Sequence, residues 1–129
     1  LHTNATEENH HLLDAAAFAK MKPGVTIVNT ARGKLIDSDA LLKALESGQV
    51  GAASLDVLEN ENGLYYYDRM GDVIPNPELA ALRAMPNVLL TDHTAFYTYE
   101  AVKSMVLSVL ESAAAFAEGL PTRHDVTDR

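Results

Sequence analysis

Apolar and polar positions along the chain follow two alternating patterns, one typical of strands and one typical of helices. The run Val25–Asn29 is rich in β-branched residues and lacks polar alternation, which predicts a parallel strand covered on both faces. Residues 51–57 and 87–91 predict two further strands. Because helical segments separate the strands, the pattern predicts an α/β fold, the second half of a doubly wound parallel sheet.

Four helices are predicted, each opened by a side chain that can cap free backbone N–H groups. The predicted caps are Asp14, Asp37 or Ser38, Asn76 and Thr98. Gly48 ends the second helix, and Gly119 ends the fourth, a long amphipathic segment that runs to about residue 118. Residues 59–75 show no regular period and predict an irregular loop.

Composition and charge limit the functions that such a fold can have. The 129 residues suffice for one domain with a core, and 47% hydrophobic with 22% charged residues is ordinary for a globular protein. The net charge of -8 argues against a nucleic-acid-binding surface. No apolar run reaches the roughly 20 residues of a membrane span. The absence of cysteine fits a reducing cytoplasm, where we expect the protein to be.

Four polar residues follow the ends of the predicted strands, where a parallel sheet binds its ligands. Arg32 lies just past the first strand, Asp56 at the end of the second, Glu61 a few residues beyond, and His93 just past the third. An arginine fork matches a carboxylate with two parallel hydrogen bonds. A histidine can give or take a hydroxyl proton, and a glutamate bonded to it would favour the imidazolium and orient the ring. This set suits the reduction of a 2-oxo acid.

Each of these residues also has a purely structural interpretation. Arg32 alone is typical of a surface cation, Glu61 of a solvated acidic run, and Asp56 of a turn cap. Their joint placement at strand ends favours the functional interpretation. The remaining histidines show no metal-ligand spacing, so no metal site is predicted among His2, His10, His11 and His124.

Three segments resemble signature blocks of the NAD-dependent D-2-hydroxyacid dehydrogenases, in order and with similar spacing: "VNTARGKLID", "LDVLENE" and "MPNVLLTDHTAFYT". The segments "ENGLYYYDRMGDVIPN" and "HTAFYT" are similar to the D-lactate dehydrogenase branch of that family. The resemblance implies a Rossmann-like fold, NAD as cofactor, and interconversion of a small D-2-hydroxy acid, D-lactate first, with its 2-oxo acid.

The resemblance also implies a role for each motif residue. Arg32 would anchor the substrate carboxylate, and His93 with Glu61 would form the acid–base pair. Phe96, Tyr97 and the tyrosines 65–67 could line the substrate pocket or pack elsewhere. The implied cofactor contacts are Thr3, Asn4, Asn9, Thr30, Ala31, Arg32 and Asp56.

Three departures from the family pattern bear on these expectations. Asp92 stands where the family usually has proline, and its charge would favour the imidazolium of His93 unless it points into solvent. Asn4 also replaces a usual proline, which weakens its predicted contact. The G-x-G-x-x-G fingerprint does not occur in the 129 residues.

These departures shape the predicted organisation. Leu1 and His2 look like the tail of a strand, so we expect a piece of a longer protein. Residues 1–119 would be the C-terminal part of an NAD-binding domain. Residues 120–129 would be a tail that returns to a substrate domain. A full-length homodimer is expected. The alternatives are an NAD-binding co-repressor of the same fold and an inactive binding module.

Overall fold

The computed structural model describes residues 1–122, so most of the predicted tail over residues 120–129 lies outside the described residues. The chain divides into two compact units, Leu1–Thr94 and Ala95–Arg129. The strands are β1 (Val25–Asn29), β2 (Val50–Leu55) and β3 (Val88–Leu90), and the helices are α1 (Ala15–Ala19), α2 (Ser38–Glu46), α3 (Pro77–Ala84) and α4 (Tyr99–Ala117). This order confirms the predicted α/β fold.

The three strands form one parallel sheet with the order β1-β2-β3. Ile27 pairs with Ala53, which pairs with Val88, so these side chains share one face. Helices α1 to α3 contribute Phe18, Leu41, Leu45, Leu79 and Leu82 to the core on that face. Burying each of these large side chains contributes roughly 1.5–3 kcal/mol, so the core fixes the strand ends in space.

Helix starts are set locally by side-chain caps, as the sequence predicts. Asp14, Asp37, Asn76 and Thr98 each accept a hydrogen bond from the backbone N–H three residues ahead. Pro77 occupies the first turn of α3, where its missing N–H costs no helical bond. The caps therefore place each helix within about one residue of its predicted start.

Three features differ from the expectations. The other face of the sheet is open within the first unit, since Val28 and Leu89 are 49% and 61% exposed. Helices α1 to α3 all pack against the opposite face. The apolar pattern of a strand does not indicate which element covers its second face. Leu1 and His2 do not form a strand within the described residues, but the amino group of Leu1 donates a hydrogen bond to the Val28 carbonyl of β1, and Leu1 packs against the core. Two short 3-10 turns, Glu7–Asn9 and Gly33–Leu35, were not predicted.

The second unit consists chiefly of α4, which Thr98 caps as predicted. Its described apolar side chains include Met105, Val106, Val109, Leu110 and Phe116. Among residues 1–122, no helix combines the length and apolar character needed to cross a membrane.

Candidate active site

His93 and Glu61 form a direct pair at the end of β3. The Nδ1 atom of His93 lies 2.9 Å from Oε1 of Glu61, and the two side chains are 32% and 17% exposed. The other oxygen of Glu61 accepts the backbone N–H of Leu58 at 2.8 Å. Because the carboxylate is held by its own loop and faces Nδ1, Nε2 is the ring nitrogen that can exchange a proton with a substrate.

The backbone around His93 is held in an uncommon conformation. His93 has φ 53°, in the left-handed region that non-glycine residues seldom occupy. The buried Asp56 carboxylate, 4% exposed, accepts hydrogen bonds from the Thr91 hydroxyl and from the Thr94 N–H at 2.9 Å. The Tyr66 hydroxyl donates to the His93 carbonyl. These contacts on both sides of His93 over-determine its position, as expected where a functional residue carries backbone strain.

The turn that carries Arg32 is organised by Asn29, the last residue of β1. The Asn29 side chain is 1% exposed, accepts the Ala31 N–H at 3.0 Å and donates to the Arg32 carbonyl at 3.0 Å. Its role was not predicted, although an asparagine directly before a turn is a recognisable signal. Arg32 itself donates from Nη1 to the Ala31 carbonyl at 2.7 Å. The buried Asn29 thus fixes the base of an exposed cationic side chain.

Arg32 and Glu61 line the same cavity, whose volume is about 140 Å³. Gly33 borders it against the loop after β2, where only a glycine fits. The other lining residues are Ala5, Lys34, Leu58, Asn60 and Asn62. The structure therefore places the predicted carboxylate anchor beside the predicted acid–base pair, at the carboxyl ends of β1 and β2.

The predicted cofactor contacts divide into two groups. Thr30 is exposed beside Arg32, whereas Ala31 is buried. In the first segment, the Asn9 side chain accepts the Thr6 N–H at 2.7 Å and donates to the Asn4 carbonyl at 2.8 Å. Asn9 therefore shapes this segment. Its contact with a cofactor, like those of the whole predicted set, stays a prediction.

Thr3 and Asn4 lie in the same exposed segment, with the Thr3 hydroxyl 3.4 Å from Asn4 Oδ1. The next residue, Ala5, lines the cavity that holds Arg32. The segment thus reaches the predicted site at Ala5.

The tyrosines 65–67 line a second cavity of about 350 Å³, together with Asp92 and Thr94 on the two sides of His93. Burial raises the pKa of the Tyr65 hydroxyl, and the negative charges of Glu61 and Asp92 add to the effect. Asp92 itself is 62% exposed and pairs with Arg83 at 3.3 Å. Asp92 therefore points into solvent, and its effect on the imidazolium of His93 is expected to be small because an exposed, paired charge is largely screened.

A second histidine–glutamate pair was missed because its members are far apart in sequence. His11 Nε2 lies 2.6 Å from Oε1 of Glu59. The ring of His10 stacks on that of His11 with 3.9 Å between ring centroids. One imidazole nitrogen from each histidine and one carboxylate oxygen of Glu59, atoms of the kind that can ligate a metal ion, all lie within 4.8 Å of one another. Burial raises the pKa of Glu59, but hydrogen bonds from His11 and Ser38 outweigh it and leave the pKa lowered. Glu59 is therefore held as a carboxylate.

Comparison with known proteins places this geometry in context. A family model described as the NAD binding domain of D-isomer specific 2-hydroxyacid dehydrogenase matches residues 1–95. A D-lactate dehydrogenase of Escherichia coli is 45% identical over 119 residues, which are 92% of this chain and 36% of that protein. An aromatic 2-oxoacid reductase of Clostridium sporogenes is 43% identical over 116 residues, 90% of this chain and 35% of that protein.

The fold matches a solved relative closely. The NAD-complexed form of a D-isomer specific 2-hydroxyacid dehydrogenase from Lactobacillus delbrueckii ssp. bulgaricus superimposes with a TM-score of 0.90 at 32% identity. The match covers 98% of this chain and 39% of that chain. The chain therefore spans little more than a third of the length of the proteins it resembles.

Proposed function

Since this chain belongs to the D-isomer-specific 2-hydroxyacid dehydrogenases, matching their NAD-binding domain, we propose that it carries the acid–base and anchoring groups of an NAD-dependent D-2-hydroxyacid dehydrogenase. The observation that carries the proposal is the His93–Glu61 pair, with Glu61 lining the same cavity as Arg32. The reaction would interconvert D-lactate and pyruvate. NAD is the cofactor of this domain family.

In the direction of reduction, Arg32 binds the carboxylate of the 2-oxo acid through its planar fork. NADH, when bound, would supply the hydride that the carbonyl carbon accepts. His93 gives the proton on Nε2 to the carbonyl oxygen, which becomes the hydroxyl of the product. Glu61 stays ionised and stabilises the imidazolium before transfer, keeping Nδ1 protonated afterwards. In the direction of oxidation, the same ring accepts the hydroxyl proton.

The residues present fit one end of the cofactor. Thr30 and the Arg32 turn lie at the carboxyl end of β1, the edge at which doubly wound sheets bind ligands. We propose that this edge meets the nicotinamide ribose, and that the buried Asp56 lies towards the carboxamide end. The diphosphate end needs backbone N–H groups at a glycine-rich turn, and that pattern is not in the 129 residues.

D-lactate is the first choice of substrate because the Escherichia coli relative is a D-lactate dehydrogenase. The Clostridium sporogenes relative is named for aromatic 2-oxo acids, so a larger side chain is the competing choice. The tyrosines around the second cavity beside His93 are candidates for contact with that side chain.

We propose that residues 1–119 act within the NAD-binding domain of a longer, homodimeric, cytoplasmic dehydrogenase, with residues 120–129 leading back to the substrate domain. Two observations support this proposed organisation. The family model for the NAD binding domain matches residues 1–95, and the chain covers only 36% of the Escherichia coli relative.

Steady-state oxidation of NADH by the full-length dehydrogenase tests the function. Pyruvate should be reduced to D-lactate, with phenylpyruvate as the competing substrate, and His93→Ala should remove turnover while NADH still binds. Efficient turnover by the His93→Ala variant would refute the proposed acid. NADH binding without turnover of either acid would favour the co-repressor alternative.

A further inference from the structure

His11 adopts a backbone conformation that its neighbours must enforce. Its φ of 52° lies in the left-handed region. The His11 N–H donates to the Lys34 carbonyl at 2.9 Å, and the next bond along, from Leu13 to Leu35, is also 2.9 Å. Both acceptors belong to the 3-10 turn directly after Arg32. The backbone of His11 is thereby tied to the turn that follows the predicted carboxylate anchor.

The carboxylate of Glu59 joins His11 to a second element. One oxygen of Glu59 faces His11 Nε2 at 2.6 Å, and the other accepts the backbone N–H of Ser38 at 3.0 Å. Ser38 opens α2, where an amide without a helical partner suits an anion. On the opposite side of the ring, His11 Nδ1 lies 3.7 Å from Oδ2 of Asp37. Glu59 is therefore fixed from two directions by groups outside its own loop.

Glu59 stands only two residues before Glu61 in the loop that supplies the proposed acid–base pair. Glu61 in turn accepts the Leu58 N–H at 2.8 Å, a bond within the loop that closes residues 58–61 on themselves. A loop held only at Leu58 and Glu61 could move as one piece away from His93. The bonds to Glu59 tie that piece to the segment around His11 and to the start of α2.

We propose that His11 is a positioning residue for the acid–base pair, acting through Glu59 to hold Glu61 against Nδ1 of His93. The proposal rests on the proposed function, because it gives the Glu59 contact a purpose in proton transfer. Proton transfer requires this support because His93 alternates between charged and neutral forms. The neutral ring attracts Glu61 less strongly, so another contact must keep the carboxylate in place between turnovers.

The charged groups around His11 are compatible with this role. Glu59 and Asp37 face its two ring nitrogens, and His10 stacks on its face. The lowered pKa of Glu59 means that the acceptor is ionised at neutral pH. His11 must then carry a proton on Nε2, as a neutral tautomer or as the imidazolium.

The test compares four variants of the full-length dehydrogenase: His11→Ala, His11→Gln, Glu59→Gln and His10→Ala. Alanine removes the donor, whereas glutamine offers an amide N–H to Glu59. Both have a Cβ atom, so the left-handed backbone strains them alike. His10→Ala is the matched control, because His10 stacks on the cluster without contacting Glu59 through a hydrogen bond.

His11→Ala should lower kcat for pyruvate by on the order of 10- to 100-fold. The alkaline limb of the pH profile should move to lower pH, because Glu61 no longer faces His93 throughout the cycle. NADH affinity should change little. His11→Gln should restore most of both losses, Glu59→Gln should reproduce the displaced limb, and His10→Ala should match the wild type.

The proposal would be overturned if His11→Ala kept both the wild-type kcat and the wild-type alkaline limb of the pH profile. A lower kcat with an unmoved alkaline limb would overturn it as well. A His11→Gln variant no better than His11→Ala would do the same. If His11→Ala does not fold, Glu59→Gln decides, and an unmoved limb in that variant rejects the role. Turnover by His93→Ala would instead count against the proposed function, so the two failures are distinguishable.

Discussion

The carbonyl group of Leu58 lies directly against Gly33. A Cβ atom added to Gly33 would be 2.0 Å from both the carbonyl carbon and the oxygen of Leu58, and 2.5 Å from the N atom of Glu59. Gly33 follows Arg32, and Leu58 donates its N–H to Glu61. The missing side chain thus allows the anchor turn and the acid–base loop to pack against each other.

We therefore expect Gly33→Ala to lower the free energy of unfolding by about 3 kcal/mol or more, because backbone atoms must move. Turnover should fall as well, since Arg32 and Glu61 separate. The control is Gly71→Ala, which has open space but φ 87° and should cost only about 1–2 kcal/mol. Urea unfolding measures both variants, and equal losses would contradict this account.

Arg32→Lys should reduce kcat/KM for pyruvate by on the order of 100-fold, because lysine keeps the charge and loses the two-pronged hydrogen bond. NADH binding, followed by fluorescence, should persist. Unchanged kinetics in Arg32→Lys would remove its assignment as carboxylate anchor.

The lowered pKa of Glu59 predicts a specific loss of stability in acid. Because its folded-state pKa lies below the ordinary value of 4.5, the ionised carboxylate stabilises the fold above that pH. The contribution disappears as the pH falls through the folded-state pKa. Wild type should be more stable than Glu59→Gln at pH 7, and the difference should shrink below 4.5. Urea unfolding across this range, with the exposed Glu46→Gln as control, checks the prediction; a difference that grows in acid would refute it.

Asp56→Ala should destabilise the fold by about 3 kcal/mol, because it leaves the Thr91 hydroxyl and the Thr94 N–H without their buried acceptor. Asp56→Asn retains one side-chain oxygen and should cost less. Chemical unfolding gives both values. If the two variants lose equal stability, the charge of Asp56 matters more than its hydrogen-bond geometry.

Asp92→Asn should leave the pH profile of pyruvate reduction unchanged at ordinary salt. The Asp92 side chain is exposed and paired with Arg83, and such surface pairs contribute about 0–1 kcal/mol. The asparagine variant is preferable to proline, which would also remove a backbone N–H. A measurable shift in the pH profile would contradict this expectation and show that Asp92 and His93 interact electrostatically.

Local signals made most of the fold predictable. A cap such as Asp37 or Asn76 acts on an amide three residues away, so the sequence contains both partners within one turn. The strand Val25–Asn29 was found by its β-branched run. The position of Arg32 at the ligand-binding edge of the sheet followed from the rule that parallel sheets bind ligands at the carboxyl ends of their strands. The pairing of His93 with Glu61 was implied by the family resemblance, and the structure places the two side chains 2.9 Å apart, while their catalytic role stays a prediction.

Other parts depend on packing between distant segments. His11 and Glu59 are 48 residues apart, and no pattern in either segment points to the other. The same holds for Asp56 and Thr94, 38 residues apart, whose bond appears only once β2 and β3 are side by side. The exposure of Val28 could not be predicted either, because a β-branched strand has the same sequence pattern whether one or both of its faces are covered.

The outer edge of β1 has no strand neighbour among residues 1–122, because the sheet order places β2 on its other side. Such an edge offers a row of peptide groups spaced to receive one more strand. The amino group of Leu1 already donates a hydrogen bond to the Val28 carbonyl on that edge. A second polypeptide carrying the rest of the proposed dehydrogenase could add a strand there and leave every strand pairing described above intact. Returning turnover would then report, in real time, the assembly of one sheet from two chains.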